Sequence, residues 1–226
     1  MTRAVAVRLL GGALIVGIGG CANQAPAPEW QSNARSGLER AVVAYFVGNT
    51  RIEAQEFALA RSEIARTGRP ALVARAELLR CASRLASLVM EPCAGFDAVA
   101  QDAEPAERAY AALLGGRATA ADGPQLPEQH RAFVQAGATP ASDLAAVERI
   151  TDPFSRLVGA AVSLQGGRAG PGVVGLAVEA ASAQGWRRPL LAWRAVQLRQ
   201  AEAAGDAPAA ERIRRRIALV DGSSKG

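Results

Sequence analysis

One histidine, three cysteines and a run of N-terminal glutamates are the residues from which this 226-residue chain could build chemistry. Glu39, Glu53, Glu56 and Glu63 are the right type for paired-carboxylate hydrolysis, where one acid protonates a leaving group and the other serves as base or nucleophile. Helical spacing instead places them on polar faces among arginines, where solvated ion pairs form and no burial raises a carboxyl pKa. His130 sits at no metal-pair spacing from a cysteine. No G-x-S-x-G elbow supplies a serine partner for it either. Its neighbours, Leu126 to Val134, read as an exposed helix. Gly170-Pro171-Gly172-Val173-Val174-Gly175 matches the letters of the dinucleotide fingerprint, but a helix precedes it and Pro171 removes a backbone donor, so it reads as a turn. No catalytic residue, metal or cofactor is assigned.

Two groups of side chains suit binding. Trp186 and Trp193 lie seven residues apart on one helix face, as a ligand platform or as core, and Leu190 and Val196 on the same stripe favour core. Arg212, Arg214, Arg215 and Arg216 crowd the last helix opposite Ile213, Ile217 and Val220. Such a face suits anionic lipid or a partner's acids, and it is also how the solvated side of a terminal helix is written. These arginines, with Trp186, form the candidate partner surface.

The elements that would carry these residues are helical throughout, since no period-two alternation runs over a strand's length. Helices are expected at about 31–47, from Thr50, at 70–88, from Pro105, at 127–135, after Ser142 or Asp143, from Pro153, at 173–183, after Trp186 and from about 207 to 220. Thr50 and Glu53 are spaced as a capping box, and Ala54, Phe57, Ala60 and Ile64 form that helix's apolar stripe. Residues 116–126 are expected as loop. Short helices joined by Gly/Pro turns predict an all-α fold of antiparallel helical hairpins. The turns at Val47-Gly48-Asn49-Thr50 and Ala204-Gly205-Asp206-Ala207-Pro208 resemble the inter-helix turn of tetratricopeptide repeats, and Ala210 stands where such a repeat places a small residue. No regular repeat period can be laid out. The resemblance implies hairpins stacked as a small bundle or a short solenoid.

The N-terminus sets the compartment. Arg3 and Arg8 precede an apolar run from Leu9 to Ile18, which fits a signal-peptide core and is too short to span a bilayer. Ile18-Gly19-Gly20-Cys21 then resembles the lipobox of bacterial lipoproteins. The resemblance implies cleavage before Cys21, a diacylglycerol on its sulfur and an acyl chain on the new amine. Without it, Cys21 would be a free or disulfide-bonded cysteine behind an ordinary signal. The lack of an Asp after Cys21, where Ala22 and Asn23 stand, implies outer-membrane sorting, with the protein facing the periplasm. With Cys21 acylated, Cys81 and Cys93 remain, and in an oxidising periplasm they read as a disulfide, two buried thiols being the alternative.

The expected organisation is therefore a signal peptide at 1–20, a tether at 21–30, a helical domain at 31–220 and a disordered tail at 221–226. Within the domain, 31–116 and 127–220 are candidate subdomains. The net charge of +5 falls to +3 once Arg3 and Arg8 are removed, which argues against a nucleic-acid partner. The expected function is a non-enzymatic, outer-membrane-anchored scaffold that binds a protein partner in the envelope. An envelope enzyme acting on peptidoglycan or lipid, or a spacer without a ligand, is the alternative.

Overall fold

The computed structural model describes residues 28–222, so Cys21, the signal segment and most of the tether lie outside the described residues. The described residues are all α-helix, 3-10 helix and turn, with no strand among them. The helices are α1 (Glu29–Val47), α2 (Thr50–Ala65), α3 (Pro70–Ala86), α4 (Ala94–Asp97), α5 (Pro105–Leu114), α6 (Pro140–Arg149), α7 (Pro153–Gln165), α8 (Pro171–Ala183), α9 (Arg187–Ala203) and α10 (Ala207–Gly222). None is long and apolar enough to cross a membrane.

Proline sets the starts. Pro70, Pro105, Pro140, Pro153 and Pro171 each open a helix at its first position, where the missing N–H removes no intrahelical bond and φ is already helical. Side-chain caps complete several starts. Asp152 accepts from Ser155 N at 2.7 Å and opens α7 as expected. Two predicted caps move. Asn49, not Thr50, caps α2, accepting from Ile52 N at 3.1 Å. Gly48 adopts φ 100° and lets Asn49 N–H return to Ala44 O, which leaves Thr50 as the first helical residue. Thr139, not Ser142 or Asp143, caps α6; Ser142 completes its capping box three residues on.

One buried cluster runs from Tyr45 in α1 to Val196 in α9 and takes in α3, α5, α6, α7 and α8. The proposed subdomains at 31–116 and 127–220 therefore share a core. Phe46 is fully buried and joins three elements, with Trp186 at a ring distance of 4.6 Å and Phe154 edge-on at 5.3 Å. Trp193, also fully buried, donates its indole N–H to Ala86 O at 3.0 Å and ties α9 to the end of α3. A smaller cluster of Ala34, Ala41, Phe57, Ile64, Val73 and Ala76 fills the space among α1, α2 and α3. At their crossing, a Cβ on Gly37 would stand 2.9 Å from Ala60 Cβ, so the glycine sets how closely α1 and α2 approach.

In a solenoid each unit touches only its neighbours. Here α1 also packs on α9 and α3 on α7, so the helices of this all-α fold meet beyond their chain neighbours, as in a bundle. Residues 128–134 form a 3-10 helix instead of an α-helix, and a second 3-10 segment, Ala120–Gln125, lies within the expected loop. Helix α1 takes in the last two residues assigned to the tether, and α10 takes in Asp221 and Gly222.

Candidate functional site

A concave surface forms where regular helices give way to 3-10 turns. Helix α3 contributes Arg75, Leu78 and Leu79, at helical spacing that turns all three the same way. Helix α5 contributes Ala106, Glu107 and Tyr110, and the 3-10 region adds Pro124, Leu126, Pro127 and Arg131. Together they enclose an open, mainly apolar groove of about 460 Å³.

Its polar groups come from a capping device. Glu104 and Glu107 form the capping box of α5, in which Glu104 N donates to Glu107 Oε2 at 3.1 Å. The other oxygen of Glu107, buried at 3 % exposure, accepts from Arg75 Nε at 2.6 Å. Glu104 approaches the same guanidinium at 3.8 Å. Two carboxylates thus approach one arginine, Glu107 closely from a buried position and Glu104 from the exposed side. Arg131 donates Nε to Leu126 O at 2.9 Å and closes the far rim. Burial, then the charge of Asp152, pushes the Tyr110 phenol well above its ordinary pKa, so it stays a neutral donor.

His130 lies behind Tyr110, its ring stacked at 5.9 Å. It is buried at 2 % exposure, against the expectation of an exposed helix, because the tighter 3-10 geometry turns it inward. Its Nε2 lies 3.1 Å from the carbonyl oxygen of Ser155, not from the hydroxyl, so the pair is not a nucleophile and its base. Burial lowers its pKa; the Ser155 carbonyl and Asp152 act in the opposite direction.

The glutamates divide. Glu39 pairs with Arg35, Glu56 with Arg40 and Glu63 with Arg66, all near the surface as expected. Glu53 does not stay in solvent. It is 2 % exposed, with Arg80 Nε at 2.7 Å and Arg84 at 3.4 Å, and Ala54 takes the solvent position instead. The rest of the stripe, Phe57, Ala60 and Ile64, is buried as expected; only its first position moves, to Glu53, four residues before Phe57, where α3 supplies Arg80 and Arg84. Three other acids missed in the sequence are buried on arginines: Glu77 on Arg61, Glu107 on Arg75 and Asp143 on Arg168. Among the described residues no group of three metal-ligating side chains is present.

Cys81 and Cys93 form the predicted disulfide, with Cα atoms 5.6 Å apart, and tie the end of α3 to α4. Clefts of about 190 and 300 Å³ flank it. Gly95 stands beside it, and a Cβ there would fall 2.0 Å from Glu77 Oε2, so the carboxylate that pairs with Arg61 would have to shift.

The candidate partner surface is only partly assembled. Arg212, Arg214, Arg215 and Arg216 are exposed on α10, over buried Ala210 and Ile213. Trp186 packs on Phe46 instead of joining them. The segment Gly170–Gly175 is the turn into α8 and its first residues, following α7, so it is not a strand-to-helix phosphate loop. No family model matches the chain, and no curated protein or solved structure matches it. The groove residues Arg75, Leu79, Glu107, Tyr110 and Arg131 were not singled out in the sequence; the Glu104-Pro105-Ala106-Glu107 capping box was the available signal.

Proposed function

We propose that this chain is an outer-membrane-anchored lipoprotein, acylated on Cys21, that works in the periplasm as a helical protein-interaction scaffold and not as an enzyme. The groove among α3, α5 and residues 120–131 is its partner site. The observation that carries the reading is that groove: an open apolar trough between α3 and α5, bounded by the 3-10 region, whose one acid, Glu107, is paired with Arg75. Apolar trough with a polar rim is the anatomy of a segment-binding surface. The lipobox resemblance at Ile18–Cys21 supports the anchor.

Two measurements test it. Labelled palmitate fed to intact cells should mark the wild-type chain and not a Cys21→Ala variant. A photo-crosslinker at Gln125, exposed on the groove rim, should yield a discrete protein adduct that a crosslinker at Leu59, exposed on α2, does not. An unmarked chain removes the anchor. Equal or absent adducts at both positions remove the groove as a partner site.

A further inference from the structure

Charge along the chain is divided unevenly. Residues 28–186 hold fifteen arginines against seventeen acids, whereas the α9–α10 hairpin, 187–222, holds eight arginines against four. Arg214 is neutralised by Glu202 and Glu211, and Arg187 pairs with Asp221. Arg194, Arg199, Arg212, Arg215 and Arg216 form no ion pair among the described residues. Among the described residues, eight of the fifteen earlier arginines face a carboxylate, whereas six of the eight in this hairpin do not, Arg188 resting instead on Thr50 and Tyr45.

Geometry gathers the unpaired charges. On α10, Arg212, Arg215 and Leu219 follow at i, i+3 and i+7, opposite the buried Ala210 and Ile213. Leu219 is 75 % exposed, the most exposed large apolar side chain described. Arg216 lies at the flank, against Arg194 of α9; burial, then the charge of Arg216, lowers the pKa of Arg194. The one acid on this turn, Glu211, is taken by Arg214, so the remaining like charges repel one another and favour an external anion. The face is the outer side of a helix that packs chiefly on α9. A row of arginines ending in one exposed leucine fits a plane of anionic headgroups, with the leucine entering the interface.

We propose that the outer face of α10, through Arg212, Arg215, Arg216 and Leu219, lies against anionic phospholipid headgroups of the membrane that carries the chain. The inference rests on the lipoprotein reading for which membrane is met, but not for the surface itself. A tether from Cys21 to Pro28 reaches at most about 25 Å, so an acylated chain would hold this face at high local concentration beside the bilayer. The arginines would then orient the domain while the acyl chains retain it.

The test uses the unlipidated chain from residue 22 onward, which retains both buried clusters. Its sedimentation is measured with vesicles of phosphatidylcholine alone and of phosphatidylcholine mixed equally with phosphatidylglycerol. Binding is expected only to the anionic vesicles and should weaken as salt shortens the screening length. Arg212→Gln, Arg215→Gln and Arg216→Gln together should reduce partitioning roughly a hundredfold. The matched triple Arg51→Gln, Arg69→Gln and Arg117→Gln should leave it within about threefold, at equal net charge. Thermal melts should show both variants folded, because all six side chains are exposed. No binding, equal binding to neutral vesicles, or equal loss in both triples would overturn the proposal. Capture of polyglutamate without vesicles would assign the face to an acidic protein and overturn it as well. Failure of palmitate labelling would leave the vesicle result standing and would count against the anchor alone.

Discussion

Replacing Glu53 by glutamine should destabilise the bundle more than any other glutamate-to-glutamine change on α1 or α2. The carboxylate is 2 % exposed and is shared by Arg80, at 2.7 Å, and Arg84, at 3.4 Å. Both guanidinium groups also lie over aromatic rings, Arg80 over Phe57 at 4.6 Å and Arg84 over Tyr45 at 4.2 Å, so neither can swing freely into water. Glutamine keeps the volume and removes the charge, which leaves two cations facing a neutral amide. Breaking a buried ion pair in this way costs about 3–5 kcal/mol. Water reaches part of the site, since the Arg80 side chain is 35 % exposed and that of Arg84 17 %. The lower part of the range, roughly 2–3 kcal/mol, is therefore expected. At this chain length each kcal/mol moves Tm by about 2–4 °C, so Glu53→Gln should melt roughly 5–10 °C below wild type. Glu39→Gln is the control, because its pair with Arg35 is 82 % and 64 % exposed. It should change stability by less than about 0.5 kcal/mol, or under about 2 °C. Paired calorimetric melts decide the matter. If Glu53→Gln melts within about 2 °C of wild type, the carboxylate is not structurally committed and the ion-pair argument is wrong.

Three further outcomes follow from particular contacts. His130 has a lowered pKa when folded and its ordinary value of 6.5 when unfolded, so its neutral form supports the fold above pH 6.5. Stability should fall as pH drops below that value, because the unfolded chain takes up the proton first, and His130→Gln should flatten this slope in melts between pH 5 and pH 8. Removing the Cys81–Cys93 bridge, with its separation of twelve residues, should cost about 3 kcal/mol by loop entropy, seen as a lower denaturation midpoint under reductant or in the double alanine variant. Gly159→Ala should cost roughly 1–3 kcal/mol in urea unfolding, since the new Cβ would stand 2.8 Å from Phe133 Cζ and 3.0 Å from Ile150 Cδ1.

The parts of this fold that are legible in the sequence are those governed by local rules. Proline at a first helical position, glycine after a last one and a 3.6-residue apolar stripe depend on neighbours within one turn, and they locate α3, α5, α7 and α8 closely. The disulfide was legible because removal of Cys21 left two cysteines. Burial of polar groups was not. Glu53 and Ala54 both border the stripe of Phe57, Ala60 and Ile64, and which of them turns inward is decided by Arg80 and Arg84 of α3, a contact that no local signal in α2 encodes. His130 was misplaced because α and 3-10 spacing point the same side chain in different directions. The groove needed α3, α5 and the 3-10 region in contact, which no local signal encodes.

The proposed partner site and the proposed lipid face share no residue. The groove belongs to α3, α5 and the turns after it, and the arginine row to α10. A scaffold that must sit on a membrane and still bind a partner needs such a separation, since a single surface cannot be covered by headgroups and remain open. The two activities should therefore be separable. Leu79→Gln, in the groove wall, should reduce the adduct formed from Gln125 by more than about threefold while vesicle binding stays unchanged. The α10 arginine triple should do the reverse in solution, abolishing vesicle binding while the adduct persists. If either change removes both readouts without lowering Tm, the two surfaces are coupled, and the division of labour between hairpin and groove is wrong.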